Sequence, residues 1–188
     1  GQFYHHGIRG VAQSSKKAFE YYTLAAEQGH VNAQFNLGLM YANGRGVDKD
    51  DKRAVEMFTL AAEQGDMDAQ YELGIMYSAG VGVMEDDNTA VKWLTLAAKQ
   101  GDVHAQAALG DMYITGDGVL VDYLRAYMWC NLAAYNGDES SQAAKVSLAN
   151  EMTNLENLNR IYKNPKAKVL VGKKAGNKFM KQINKFKL

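Results

Sequence analysis

The chain has 188 residues, no formal net charge, one proline and one cysteine. This length allows one domain with a sizeable core, and the scarcity of proline, which costs about 3 kcal/mol inside a helix, favours an all-helical protein. The single cysteine excludes an internal disulfide, and no apolar run approaches the roughly 20 residues that a membrane helix needs.

The zero net charge is the sum of two oppositely charged parts. Residues 1–152 contain 11 Lys and Arg against 20 Asp and Glu, whereas residues 153–188 contain ten against one. The sequence therefore predicts an acidic body followed by a basic tail.

One six-residue phrase returns every 36 residues along the acidic part. It is LAAEQG at 24–29 and again at 60–65, LAAKQG at 96–101 and LAAYNG at 132–137. Such a period is typical of repeat proteins, in which each unit buries its apolar face against the next. The predicted division is a partial repeat at 1–29, full repeats at 30–65, 66–101 and 102–137, and a degenerate last helix at 138–152.

Each full repeat is predicted to contain two antiparallel helices, which we call its first and second helix. On the first helix Ala33, Leu37 and Tyr41 recur at intervals of four, so they share one face. On the second helix Ala54 and Phe58 begin another apolar face that continues into the Ala-Ala pair of the phrase. Aspartates precede most of these helices at N-cap positions.

Glycine and tyrosine recur at fixed places in the first helices, and we interpret them as structural. The glycines are Gly38, Gly74 and Gly110, and the tyrosines are Tyr41, Tyr77 and Tyr113. Glycine inside a helix costs about 1 kcal/mol relative to alanine. Its repeated use predicts that a neighbouring helix approaches closely there, with the Ala-Ala pairs as the expected facing residues.

The segment AQYELGIMYSAGVGVMEDDNTAVKWLTLAAKQG, from Ala69 to Gly101, resembles the Sel-1-like repeat, a relative of the tetratricopeptide repeat. The resemblance covers residues 1–152. It implies an all-α, right-handed α/α solenoid that binds proteins on its inner surface. We expect no cofactor. It slightly favours an exported or periplasmic bacterial protein, although a cytoplasmic one fits the single cysteine equally well. The proline often found after GV is absent from this sequence.

The positions that vary between the first helices are the predicted partner-binding groove, because they are free of the structural role of the invariant ones. The alternative is that some of them merely complete the core. They are Phe35, Asn36, Leu39, Tyr71, Glu72, Ile75, Ala107, Ala108 and Asp111.

Beyond the repeats, TNLE at 153–156 matches a capping box, which predicts a separate capping helix at 153–164. Residues 165–188 form a basic tail that we expect to be partly helical. It could dock on the acidic repeats of the same polypeptide, bind nucleic acid or an anionic membrane, or be solvated. Its lysines include Lys173, Lys174, Lys178, Lys181 and Lys185.

Motifs that would indicate catalysis or metal binding are weak. Ser14 and Lys17 have the spacing of penicillin-recognising enzymes, but their companion motifs are absent. His5 and His6 lack a third metal ligand, and the G-x-G triplets follow helices rather than strands. We expect Cys130 to be a buried thiol rather than a reactive one.

The sequence thus predicts a non-enzymatic scaffold or adaptor that holds a protein or peptide in the groove of a solenoid, in a bacterial assembly or signalling system. Two alternatives remain open. One is a hydrolase of the penicillin-binding kind, and the other is an anchor on anionic membrane or nucleic acid through the lysine-rich tail.

Overall fold

A computed structural model of the protein describes residues 15–163, with side chains as far as residue 154. This region contains eight α-helices and no strand. The helices are α1 (Ser15–Glu27), α2 (Val31–Asn43), α3 (Asp51–Glu63), α4 (Met67–Ala79), α5 (Asp87–Gln100), α6 (Val103–Thr115), α7 (Tyr123–Tyr135) and α8 (Glu139–Lys163). The predicted all-α repeat architecture is confirmed. The first helices of the full repeats are α2, α4 and α6, and the second helices are α3, α5 and α7.

The protein divides into two compact units, residues 1–106 and 107–188. In the first unit α2 packs on α3 and α4 packs on α5, while α1 packs on α2 and α3 on α4. In the second unit α7 packs on α8, around buried Ala126, Cys130 and Leu148.

Side-chain caps start the helices, as the aspartate spacing predicts. The Asp50 carboxylate accepts hydrogen bonds from the backbone N–H groups of Lys52 and Arg53 at the start of α3. Asp66 accepts from the backbone of Ala69 in the same way at the start of α4, at 2.8 Å. Among the helices whose preceding residue is described, the exception is α2, because the His30 side chain makes no capping bond to it. These caps satisfy N–H groups that an isolated helix leaves unpaired.

Glycines with positive φ form the turn between the two helices of a repeat. Gly80 ends α4 in the left-handed conformation with φ 64°, and its N–H group donates to the Met76 carbonyl. The next glycine, Gly82, has φ 72° and lies against the backbone of Asp51 in the preceding repeat. The G-x-G triplets are therefore turns, because their glycines supply the positive φ and the close approach that the turn requires.

The glycines within the first helices lie directly under side chains of the second helix of the same repeat. A Cβ atom on Gly38 would come 2.6 Å from the Phe58 ring, and one on Gly74 would come 2.5 Å from the side chain of Leu94. Gly110 is covered in the same way by the sulfur of Cys130. The predicted close approach of a neighbouring helix to these glycines is confirmed. The prediction of which residues face the glycines was wrong. The Ala-Ala pairs do not cover these glycines; the residue 20 positions after each glycine does.

Buried glutamines connect successive repeats in the first unit. The side-chain amide of Gln70 is only 4% exposed and donates to the Ala62 carbonyl at the end of α3. Its oxygen accepts a 2.8 Å hydrogen bond from the Gln100 amide at the end of α5. Gln34 makes the equivalent pair of bonds with Ala26 and Gln64. Because both ends of each amide are satisfied, the burial of these polar groups is not penalised.

One sequence prediction fails at the end of the described region. The sequence predicts a new helix beginning at Thr153, but α8 is continuous from Glu139 to Lys163. The Thr153 hydroxyl donates to the Ala149 carbonyl one turn earlier, as a mid-helix threonine does, instead of capping a helix start. The residues 138–152 and 153–164 are therefore not separate helices in the part that the structure describes. Residues 165–188, with the basic tail, lie outside the described residues.

Candidate functional site

The predicted groove positions on α2 are half-buried and serve the core in part. The ring of Phe35 lies 5.7 Å from the ring of Phe58, centroid to centroid, and Leu39 also packs against the core of the first unit. Asn36 donates a 2.6 Å hydrogen bond to the Asn32 carbonyl on its own helix. The structure therefore gives Phe35 and Leu39 a packing role in addition to their partial exposure.

The equivalent positions on α4 are more open. Ile75 is 39% exposed, and Tyr71 and Glu72 are half-buried. The Tyr71 ring lies 5.9 Å from the imidazole ring of His104, at the start of α6. An aromatic ring, an aliphatic side chain and a carboxylate are thus accessible together on α4, which are side chains able to anchor a protein partner.

In the second unit the predicted groove positions lie on α6. Ala107 and Ala108 are half-buried and Asp111 is exposed. These small side chains offer a partner little contact area, so the stronger anchors are those on α2 and α4.

The surroundings of several carboxylates on the first helices disfavour their ionised form and so raise their pKa values. Desolvation by the surrounding protein, and then the charge of Asp68, raises the pKa of Glu72. Desolvation also raises the pKa of Asp68, with smaller contributions from Asp66 and Asp102. In the second unit, desolvation and Asp138 raise the pKa of Asp111. Each shift has the sign expected for a carboxylate that is desolvated beside other acids.

The ion pairs of the described side chains lie away from these carboxylates. They join Lys49 to Asp51, Arg53 to Asp50 and Arg125 to Asp122, all around the starts of second helices. Asp68 and Glu72 take part in no ion pair within residues 15–154. The accessible face of α4 is therefore acidic as well as aromatic.

A cavity of about 250 Å³ lies between α1 and α2 in the first unit. Two of the predicted groove residues, Asn36 and Leu39, line it together with Tyr22, Met40, Asn43 and Arg45. The Tyr22 hydroxyl is buried and has no hydrogen-bond partner among the described residues. Burial raises the pKa of this hydroxyl, so it is a neutral phenol at neutral pH. The sequence prediction included Asn36 and Leu39 but missed Tyr22 and the cavity.

A second surface was also missed by the sequence analysis. The leucine of the recurring phrase is exposed: Leu24 by 57%, Leu60 by 42% and Leu96 by 44% in the first unit. The two alanines that follow it are buried after Leu60 and Leu96, whereas after Leu24 only the second one, Ala26, is. The recurrence of leucine beside a buried Ala-Ala pair was the available signal, and we call these three residues the leucine stripe.

The sequence motifs that could indicate chemistry have structural roles where the structure describes them. Cys130 is 1% exposed, and burial raises the pKa of its thiol, which opposes formation of the nucleophilic thiolate. The sequence also contains two acidic runs, DKDD at 48–51 and EDD at 85–87, in which Asp50 and Asp86 cap helices. No group of three or more possible metal ligands occurs among residues 15–154, whereas Ser14, His5 and His6 lie outside the described residues. No helix in the described part is long and apolar enough to cross a membrane.

Comparison with known proteins places the repeats in a family. The Sel1 repeat model matches four times, at residues 1–30, 31–66, 68–102 and 103–138. The chain is a Sel1-repeat protein. Two solved Sel1-repeat structures agree with this assignment. A protective antigen of uropathogenic Escherichia coli strains is 38% identical with a TM-score of 0.76, and a Sel1 repeat protein from Oxalobacter formigenes is 36% identical with a TM-score of 0.74.

The aligned region is only part of each relative. It covers 78% of this Sel1-repeat protein in both comparisons, but 31% of the Escherichia coli protein and 60% of the Oxalobacter protein. A search of curated protein sequences finds no match. Sel1-repeat proteins generally act as scaffolds for protein–protein interaction.

Proposed function

We propose that this protein is a non-enzymatic scaffold that holds a protein or peptide segment along the variable face of its first helices, within a bacterial assembly or signalling system. The observation that carries the proposal is the set of accessible anchors on α4. Tyr71 and Ile75 are available to a partner at positions that differ in every repeat, while the neighbouring invariant positions Gln70, Leu73 and Gly74 are buried. Aromatic and aliphatic anchors of this kind dominate the energetics of protein interfaces.

The face has a chemical preference as well as a shape. Asp68 and Glu72 lie beside these anchors without an ion-pair partner in the described part of the protein. A partner that brings lysine or arginine to this place would relieve the like-charge repulsion, whereas an acidic one would increase it. The groove residues of the second unit, Ala107, Ala108 and Asp111, would supply a smaller surface of the same kind.

The proposal is tested by comparing two double variants, each of which replaces two large apolar side chains by serine. In the groove variant, Tyr71→Ser and Ile75→Ser remove the anchors of α4, and in the control, Leu60→Ser and Leu96→Ser remove part of the leucine stripe. Partners that copurify with the unmodified protein are identified, and their affinities are then measured by calorimetry. We expect the groove variant to lose at least about tenfold in affinity and the control to keep it.

The reverse result assigns binding to the leucine stripe and rejects the groove. Circular dichroism of both variants checks that each retains its helical content, since Tyr71 is half-buried and its loss costs some packing. Equal affinity of the groove variant and the unmodified protein also contradicts the proposal.

A second proposal rests on the opposite charges of the two parts of the sequence. The lysine-rich tail, including Lys173, Lys174, Lys178, Lys181 and Lys185, could anchor the protein on an anionic membrane or nucleic acid, or dock on the acidic repeats.

The penicillin-binding alternative needs Ser14 as nucleophile, and hydrolysis of nitrocefin by the purified protein would be required to support it.

A further inference from the structure

The cavity between α1 and α2 contains a feature that repeat packing does not explain. The Tyr22 side chain is 6% exposed, and its hydroxyl finds no hydrogen-bond partner within residues 15–154. The positions equivalent to Tyr22 in the three later repeats are Phe58, Leu94 and Cys130, each of which covers a glycine of the first helix. None of them carries a hydroxyl. The fold therefore requires a buried side chain at this position but does not require its oxygen, and a buried unpaired hydroxyl is unfavourable.

The other polar residues of the cavity belong to the first full repeat, and the later repeats have other residues at these positions. Asn36, Asn43 and Arg45 line it, and the corresponding residues of the next repeat are Glu72, Ala79 and Val81. In the repeat after that, they are Ala108, Thr115 and Asp117. A set of polar residues found in one repeat only is not explained by the packing that all repeats share.

The hydrogen-bonding capacity of the cavity is larger than these local bonds require. Asn36 and Asn43 each donate one amide hydrogen to a carbonyl one turn earlier, at 2.6 and 2.8 Å. Each amide has a second hydrogen and an oxygen acceptor in addition. The Tyr22 hydroxyl adds a donor. Arg45 adds a positive charge at the cavity wall, in addition to an interaction that it already makes within the protein. Among the described residues no acidic side chain lines the cavity, which distinguishes it from the acidic face of α4.

The size and walls of the cavity limit its ligand. At about 250 Å³ it is smaller than the ~300–1,000 Å³ of sites for cofactors and drug-sized molecules. It is large enough for one amino-acid side chain or for the end of a polypeptide. Leu39 and Met40 provide an apolar wall for methylene groups, and the donors named above suit an anionic head.

We propose that this cavity binds a carboxylate of the partner segment, which accepts hydrogen bonds from the Tyr22 hydroxyl and pairs with the Arg45 guanidinium. The inference rests on the proposed function, because Asn36 and Leu39 belong to the predicted groove and the cavity would anchor one end of the bound segment. The carboxylate is that of an aspartate or glutamate side chain or of the partner's C-terminus. The chemistry is the same for both, and the experiment separates them.

The test uses small probes and needs no identified partner. The probes are N-acetylglutamate α-amide, which carries a side-chain carboxylate, N-acetylalanine, which carries a terminal one, and N-acetylglutamine amide, the neutral analogue. Each is titrated into the 188-residue protein while the ring resonances of Tyr22 are followed by NMR. We expect one of the two acids to shift these resonances with a dissociation constant of millimolar order, and the neutral analogue to bind about tenfold more weakly.

Variants locate the binding. Tyr22→Phe and Arg45→Gln should each weaken the acidic probe about tenfold, with binding of Tyr22→Phe followed through the Asn36 and Asn43 side-chain amides. The matched controls are Tyr41→Phe and Arg53→Gln. They alter a tyrosine–arginine pair of the same repeat, which is joined at 3.2 Å outside the cavity, and should leave binding unchanged. Tyr22→Phe should keep or raise the melting temperature, because it removes an unpaired buried hydroxyl.

Two results overturn the proposal: no shift with either acid, or equal binding of the neutral analogue. Loss of binding in the control variants would also overturn it, because it would place the probe elsewhere. Failure here is distinguishable from failure of the proposed function. The serine variants of Tyr71 and Ile75 test partner binding on α4, and their result does not depend on the cavity.

Discussion

The residue type at several positions in this protein is restricted by a side chain that packs against it from the other helix of the pair. Gly38 is glycine because the Phe58 ring occupies the space of a Cβ atom, and Gly110 is glycine because of the Cys130 sulfur. We expect Gly110 to tolerate replacement by alanine better than Gly38 does, since a rigid ring is harder to move aside than a single sulfur atom. Tyr22 differs from these glycines, because no contact accounts for its polar group. Its hydroxyl has no hydrogen-bond partner among the described residues.

At the same scale, Glu72 should make stability depend on pH. Its pKa is raised above the ordinary value of 4.5 by desolvation and then by the charge of Asp68. The folded protein therefore binds more protons than the unfolded one between pH 4.5 and the raised pKa. The contribution of Glu72 to stability is thus fully present below pH 4.5 and is lost as the pH rises through its folded pKa.

Glu72→Gln should accordingly raise the urea midpoint at pH 7, and this gain should shrink as the pH is lowered toward 4. The matched control is Glu56→Gln on α3, which neutralises an exposed carboxylate and should change the midpoint less. A gain for Glu72→Gln that is the same at both pH values would contradict the proposed electrostatic cause.

Each pair of helices is joined to the next by contacts whose geometry can adjust little. Gln70 uses both ends of its amide to join the end of α3 to the end of α5, and Gly82 brings its loop against the first turn of α3. These contacts involve backbone groups or buried amides, so a change of rotamer nearby does not relieve a misfit. The stacking of repeats therefore depends on these polar and backbone contacts as well as on the shared apolar core.

Gly82→Ala should destabilise the first unit more than Gly80→Ala. Both glycines have positive φ, so both alanines pay a similar conformational cost of about 1–2 kcal/mol. A Cβ atom on Gly82 would also overlap the backbone carbonyl of Asp51, whereas on Gly80 the nearest atom, in Glu85, is 3.3 Å away. We expect a further loss of about 1–3 kcal/mol for Gly82→Ala, measured by urea unfolding. Equal losses for the two variants would mean that the loop moves freely against α3.

The whole molecule combines an acidic repeat region with a basic C-terminal part. Residues 1–152 carry nine more acids than bases, and residues 153–188 carry nine more bases than acids. A net charge of zero thus conceals two parts that would respond in opposite ways to a charged partner, and salt screens both responses.

Deletion of residues 165–188 separates the two proposals made for the whole molecule. If the tail is the anchor, the shortened protein loses its binding to heparin and to vesicles containing phosphatidylserine. The binding of the unshortened protein then falls steeply between about 50 and 200 mM salt. If the groove carries the function, the shortened protein keeps the partners that depend on Tyr71 and Ile75. Salt-independent binding to vesicles by the shortened protein would reject the tail as the anchor.

Much of the fold could be predicted because repeats provide an internal comparison. The 36-residue period, the aspartate caps and the glycines of the loops all depend on local backbone chemistry, which the sequence states directly. The prediction failed where a local signal had to compete with its surroundings. TNLE has the residues of a capping box, but the backbone there is already helical, so Thr153 bonds backwards to Ala149 instead.

The candidate site could be predicted only in part. Comparing repeats found the variable positions on α2, α4 and α6, because those positions need not satisfy the shared packing. It could not show that Phe35 packs on Phe58 while Ile75 stays open, since both occupy variable positions on first helices. It also missed Tyr22, because an aromatic residue at that position suits a buried face whether or not its hydroxyl finds a partner.

The helices of the repeats, their period and the family could be predicted from local patterns, because caps, turns and apolar periodicity act within a few residues of one another. The packing of the folded protein was needed to show which residue covers each helical glycine, which leucines face water and where a buried hydroxyl is left unpaired among the described residues. The covered glycines and the unpaired hydroxyl arise where two helices pack together. Their geometry is set by the packing of both helices together, which neither segment specifies alone.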